Sequence, residues 1–298
     1  MTSSTVAIFG EVLFDVFSDE CQVLGGAPFN VAWHLSALGV DPQLISAVGA
    51  DAAGEQIRTH MTHWGLSTAT LQLDPVHPTG TVHVELHNGE PQYTITPNCA
   101  YDFIQFPSNY APVQWLYHGT LAVRNLVSAT TLQHIKHGGV ENIFLDVNLR
   151  APWWSLGKTI ALLEEAHWVK LNRDELLKLS ALTLDNITPP LETVAQHFLQ
   201  QHQLTGLIVT LGSKGVLGLN QDGACIQIEP PPACTLVDTV GAGDAFSAVA
   251  LFGLMQQWDF TTLLNRAQQF ATHIVEQRGA ISTERTWYQT MLNQWSSH

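Results

Sequence analysis

Positive charge is scarce in this chain. Its 298 residues hold 12 lysines and arginines against 26 aspartates and glutamates, a formal charge of −14. A nucleic-acid or anionic-membrane surface needs a basic face, so that balance excludes both as the main partner. It leaves room for an anionic nucleotide, which a few local donors and a metal can hold. Cysteine is sparse too: Cys21, Cys99, Cys225 and Cys234 form no C-x-x-C pair. They read as reduced buried thiols, not as a disulfide framework or a zinc site. No apolar run approaches the roughly 20 residues that span a bilayer. Residues 1–5 carry no positive leader region, so a cytoplasmic protein is the expectation. Long polar tracts are missing, and only 13% of residues are charged, which excludes a disordered chain. Familiar catalytic signatures are missing as well. Neither a G-x-S-x-G elbow nor a G-x-G-x-x-G fingerprint occurs, and Gly157-Lys158-Thr159 fails as a P-loop because Pro152 stands where its first glycine belongs. His60-x-x-His63 and His134-x-x-His137 have ligand-like spacing but no H-E-x-x-H context, and read as surface pairs.

What is present is a rhythm. Short apolar runs at 6–10, 44–49, 115–119, 143–148, 168–172 and 207–212 alternate with helix-length segments. Continuous apolar strands of that length predict a parallel sheet covered on both faces. Residues 27–38 predict a helix, with Val31, Leu35 and Leu38 on one stripe and Gly39 at its stop. Another is predicted at 191–201, after Pro189-Pro190. Two stretches, about 12–24 and 70–96, instead alternate like strands, and Asn88-Gly89 supplies a hairpin turn in the second. They predict a small sheet projecting from the core as a lid. An exposed edge there would invite pairing with a second subunit, so a homodimer through the lid is expected.

The most informative stretch is Asp238-Thr239-Val240-Gly241-Ala242-Gly243-Asp244, followed by the apolar helix formers Ala245-Phe246-Ser247-Ala248-Val249. Glycines at such a junction let backbone N–H groups converge on an anion at the positive end of a helix. Asp244 beside that nest can act as base for a hydroxyl attacking a phosphate held by the nest. The chemistry implied is phosphoryl transfer to an alcohol. Asp15, placed by this reading at the end of the first strand, could accept hydrogen bonds from substrate hydroxyls, although a solvated turn aspartate is the commoner case. Gly25-Gly26-Ala27-Pro28-Phe29-Asn30 lets a ligand approach the backbone, and Asn30 offers it a donor and an acceptor. Asn172 and Glu175 suit a hydrated magnesium near phosphates, and equally a helix capping box. Thr210-Leu211-Gly212 could line a nucleotide, but such turns are abundant.

Together these segments resemble the ribokinase-type (PfkB) sugar kinases. Gly-Gly-Ala-Pro-Phe-Asn and Asp-Thr-Val-Gly-Ala-Gly-Asp are similar to the two signatures of that family, the first most like its fructokinase branch. Asp146-Val147-Asn148-Leu149-Arg150 resembles its D-x-N-x-R segment. Lys170-Leu171-Asn172 with Glu175 resembles its N-x-x-E motif. The resemblance implies one ribokinase-like α/β domain over 1–298 with a β-sheet lid. It implies Asp244 as general base, with Gly241, Ala242 and Gly243 as anion hole. The sugar would be gripped by Asp15, Gly25, Gly26, Asn30 and Arg150, and ATP by Lys170, Asn172, Thr210 and Gly212. Glu175 would hold Mg2+ through water, and Asp238 with the Val240 carbonyl would hold K+. One departure stands out: around Thr96-Pro97-Asn98-Cys99-Ala100 the family often has an arginine near the sugar, and here there is none. With only Arg150 and Arg124 available, a neutral sugar is favoured, fructose first. A 2-keto-3-deoxygluconate, ribose or nucleoside kinase, or a non-catalytic sugar-binding relative, stays open.

Overall fold

The computed structural model describes residues 5–17, 22–87, 90–180, 189–231 and 235–296. In chain order the strands are β1 (Val6–Phe9), β2 (Leu13–Phe17), β3 (Gln22–Gly25), β4 (Gln43–Gly49), β5 (Leu71–Asp74), β6 (Gly80–His87), β7 (Glu90–Ile95), β8 (Trp115–His118), β9 (Asn142–Asp146), β10 (Trp168–Asn172), β11 (Gly206–Thr210), β12 (Val216–Asn220) and β13 (Cys225–Ile228). The helices are α1 (Ala27–Ala37), α2 (Ala52–Trp64), α3 (Leu126–His137), α4 (Leu156–Leu163), α5 (Arg173–Leu179), α6 (Leu191–Gln201), α7 (Ala242–Met255), α8 (Phe260–Ile274) and α9 (Arg285–Ser296).

Nine strands form one sheet in the order β13-β12-β11-β10-β9-β8-β1-β4-β5. All neighbours are parallel from β11 to β5, and only β12 and β13 run antiparallel at one edge. The apolar runs read as strands are these strands, because each is buried on both faces. Val6 and Ile8 join a core with α1, α2, α7, α8 and α9. Ala7 and Phe9, pointing the other way, join a core with α3, α5 and α6. Helix α1 departs from the single stripe expected of it. Pro28 through Leu35 are buried without interruption, since α7 packs against one side of α1 and the sheet against another.

A second sheet has the order β3-β2-β6-β7. It is built from the two alternating stretches, with one correction: Leu71–Asp74 pairs in parallel with β4 and extends the large sheet. The small sheet takes up the chain again at Gly80. The expected Asn88-Gly89 turn lies outside the described residues. So do Cys21 and Cys234. Cys99 is buried as expected, but Cys225 is exposed, because it starts β13, the edge strand of the sheet. His60, His63, His134 and His137 are all exposed. No described helix is long and apolar enough to cross a membrane.

Candidate active site

Strand order reverses at β1, whose neighbours are β4 on one side and β8 on the other. In an open α/β sheet that reversal opens a crevice beyond the carboxyl ends of the strands. A cavity of about 400 Å3 lies there. Its floor comes from the strand ends: Glu11 after β1, Asp146 and Asn148 at β9, Lys170 and Asn172 at β10, and Thr210 at β11. The start of α7 closes one side, and the small sheet supplies another wall through Leu13, Val82, Tyr93 and Ile95.

Gly241 caps α7 in the left-handed conformation, φ 79°. A Cβ there would lie 2.3 Å from the Cβ of Ala280, so glycine is required by both conformation and space. The first turn of a helix leaves amide groups without intrahelical partners. Here Ala242 N makes only a long 3.4 Å bond to Thr239 O, and Gly241 and Gly243 line the cavity. Asp244 follows in the same turn. Its carboxylate accepts a 2.7 Å hydrogen bond from Asn30 Nδ2, contributed by α1, 214 residues away in sequence. Burial raises the Asp244 pKa from its ordinary 3.8 to about 6, with the Asp146 charge adding to the rise and Asn30, Lys170 and Arg150 opposing it.

Behind the start of α7 lies a buried ion pair. Lys170 Nζ donates to both carboxylate oxygens of Asp146, at 2.8 and 2.9 Å. Tyr117 donates to Asp146 at 3.1 Å, and the Ser247 hydroxyl lies 2.7 Å from Asp146 and 3.0 Å from Gly243 O. Lys170 Nζ comes within 3.3 Å of where a Cβ on Gly243 would stand. The network holds one positive charge against the glycine turn of α7.

Asn172 and Glu175 form the capping box of α5: Asn172 Oδ1 accepts from Glu175 N at 2.9 Å, and Glu175 Oε2 from Asn172 N at 2.8 Å. The other Glu175 oxygen accepts from Leu149 N at 2.7 Å, fixing the turn that carries Asn148 and Arg150. Glu175 reaches the cavity with both oxygens already engaged, a fit for a metal held through water and not for direct ligation. Asp238 does not line the cavity. It braces the loop before α7, accepting from Val240 N at 3.0 Å and from Gly279 N at 3.1 Å. Such oxygen donors suit a hard monovalent cation.

Of the residues singled out in the sequence, the cavity brings together Asp15, Gly26, Asn30, Arg150, Lys170, Asn172, Glu175, Thr210, Val240, Gly241, Gly243 and Asp244. Gly25, Gly212, Ala242 and Asp238 lie outside its lining. Gly25 sits beneath Asp15, where a Cβ would come 3.1 Å from its carboxylate. Asp15 is in β2 and not at the end of β1, because the chain breaks at Gly10 and re-enters the small sheet. Burial lifts its pKa to about 6, against the Arg150 charge.

Arg124 resolves the missing arginine. It reaches the 96–100 segment through space, donating to Thr96 O at 2.7 Å. It is not a free cation, however: Asp102 takes two of its N–H groups at 2.6 and 2.8 Å, and Trp153 stacks on it at 4.3 Å. Sequence reasoning missed Glu11 and the tertiary role of Asp146. The signal for Glu11 was available, since it is the first acid of the chain and follows directly on the apolar run that begins at Val6.

Against known proteins, the model of the pfkB family carbohydrate kinases matches residues 10–287. A fructokinase of Klebsiella pneumoniae is 31% identical over 83% of this chain and 83% of its own. An aminoimidazole riboside kinase of Salmonella typhimurium is 26% identical, over 87% and 83%. A double-mutant Vibrio cholerae fructokinase with fructose, ADP and potassium ion bound superimposes with TM-score 0.82, covering 97% of this chain and 98% of that one, at 24% identity. With a family match over nearly its whole length and the fold to go with it, the chain belongs to the pfkB family of carbohydrate kinases and is a sugar phosphotransferase of its fructokinase-like branch.

Proposed function

We propose that this chain transfers the γ-phosphoryl group of ATP to a primary hydroxyl of a neutral sugar, with fructose the preferred acceptor. The observation that carries this is the pairing of Asp244 with Asn30 at the amino end of α7, inside a cavity that also holds Asp15. The hydroxyl oxygen attacks the γ-phosphorus, its proton passes to Asp244, and the bond from phosphorus to the bridging oxygen of ADP breaks. The amides at Gly241–Gly243 face the charge that builds on the transferred group, and Lys170 backs them. Little covalent work falls to the protein, so positioning and charge stabilisation dominate. Asp15, Asn30 and Arg150 hold the sugar, while Asn172 and Thr210 face the nucleotide. Magnesium, held through water by Glu175, would neutralise phosphate charge. Asp238 and the Val240 carbonyl would hold K+ next to the anion hole.

The neutral acceptor is favoured because Glu11, Asp15 and Asp244 crowd one region while Arg124 is neutralised by Asp102. The fructokinases among its relatives favour fructose. A second reading, a riboside as acceptor, draws on the aminoimidazole riboside kinase. The small sheet is part of the proposal as a lid that excludes water from the phosphoryl group. Its edge strand β7 would pair with a second subunit, which light scattering would check.

ADP release with Mg-ATP and K+ tests the reading across fructose, ribose, glucose, 2-keto-3-deoxygluconate and adenosine. Fructose should be fastest. A faster riboside or acid sugar would discard fructose and keep the chemistry, and no ADP release with any acceptor would discard both.

A further inference from the structure

One buried acid in the cavity has no task in the chemistry above. Glu11 lies just beyond β1, 5% exposed, and lines the cavity. Among the described residues its Oε2 has no hydrogen-bond partner, and neither does Asn30 Oδ1. Leaving a buried carboxylate oxygen unpaired is costly, more so than for a neutral group.

Among the described residues, Glu11 has no cation at ion-pair distance. Arg124 and Arg150 act on it only at a distance, more weakly than the opposing Asp244 charge, and burial lifts its pKa to about 7. Arg124 is committed to Asp102. The Glu11 backbone is held as well, because its main-chain carbonyl packs under Gly26, where a Cβ would come within 2.6 Å of it. The Gly25-Gly26 turn and Glu11 are therefore fixed against each other. Two orphaned oxygens, on residues that both line this cavity, can each accept a hydrogen bond. The complement is a ligand with two hydroxyl donors and no negative charge.

We infer that Glu11 is a specificity-determining residue, its free Oε2 accepting a hydroxyl of the acceptor sugar while Asn30 Oδ1 accepts a second. The inference rests on the sugar-kinase reading of this site and adds a residue and a selection rule to it. A sugar lacking that hydroxyl leaves the acid unpaired, and a carboxylate or phosphate in its place meets like charge.

The test couples a missing substrate hydroxyl to a missing Glu11. Wild type, Glu11→Ala and Glu11→Gln are assayed with fructose and its 1-deoxy, 3-deoxy and 4-deoxy forms, or with ribose and its deoxy forms if ribose is the faster acceptor. In wild type one deoxy form should lose about 10-fold to 100-fold in kcat/KM, the range for a hydrogen bond to a buried charge. In Glu11→Ala the same form should lose less than about threefold relative to the parent sugar. The sugar KM should rise in both variants with the ATP KM unchanged, a split that a merely structural role would not give. If the alanine variant does not fold, the isosteric glutamine variant serves, since a neutral acceptor should shrink the same deficit severalfold. Equal deficits in wild type and variants, for every deoxy form, overturn the assignment of Glu11 while sugar phosphorylation by wild type still stands. No phosphorylation of either parent sugar by wild type overturns the neutral-sugar reading and Glu11 with it.

Discussion

Replacing Asp244 by asparagine separates chemistry from architecture. Asparagine has the same shape and keeps an oxygen for the 2.7 Å bond from Asn30, so α1 and α7 stay joined. It cannot take a proton from the attacking hydroxyl. Loss of a positioned general base costs about 10²-fold to 10⁴-fold in rate, and that is the expected fall in kcat, with the sugar KM changed less than about threefold. The pH profile sharpens the test. With the Asp244 pKa near 6 in the free protein, wild-type kcat/KM should fall about tenfold for each unit below that value as the base is protonated. The residual activity of the variant should lack that limb. Stability should move the opposite way. The folded-state pKa lies above the ordinary 3.8, so the ionised group opposes folding at neutral pH by roughly 3 kcal/mol. That opposition is absent below about pH 4, where both states are protonated, and complete above about pH 6. The Asp244→Asn variant should therefore melt higher than wild type at neutral pH, with the gain shrinking as the pH falls from 6 towards 4. A folded variant with kcat within tenfold of wild type, or one that retains the acid limb, refutes the assignment of the base. ADP release across pH and thermal melting of the same samples decide it.

Three further outcomes follow from the same geometry. Gly241→Ala should lose about 2–4 kcal/mol, since a Cβ would strike Ala280 at a left-handed position; an unchanged melting temperature would contradict the packing. Lys170→Met should leave Asp146 buried without its ion-pair partner, lowering stability by about 3–5 kcal/mol. In protein that remains folded, titration should show the ATP KM raised at least about tenfold. His34, buried between Tyr288 and the Ala280 carbonyl, has its pKa lowered by burial to about 4. Because the unfolded chain protonates it near 6.5, its contribution is full above that pH and is lost as pH falls towards 4. A His34→Gln variant should therefore show a smaller acid-side loss of melting temperature than wild type across that interval.

The sequence by itself determined six of the nine strands of the large sheet, the span of α1 and the glycine turn before α7. Each depends on a local rule: a buried parallel strand must be apolar throughout, and a left-handed helix cap favours glycine. It determined the capping box at Asn172 and Glu175 for the same reason, since both partners lie within one turn. Tertiary structure decided what local rules cannot reach. Whether 71–74 would join the lid or the core depended on which edge lay free, and β4 offered one. The charge balance of the sugar side depended on Asp102, 22 residues from Arg124 in sequence, closing on its guanidinium. Asp244 carries a raised pKa because folding buries it, with Asp146 adding to the rise while Asn30, Lys170 and Arg150, from other elements, oppose it. Glu11 drew no role from the sequence; folding enclosed it at the cavity wall and left one oxygen without a partner. Electrostatics in a buried site is a sum over groups distant in sequence, and only the folded chain sets the distances in that sum.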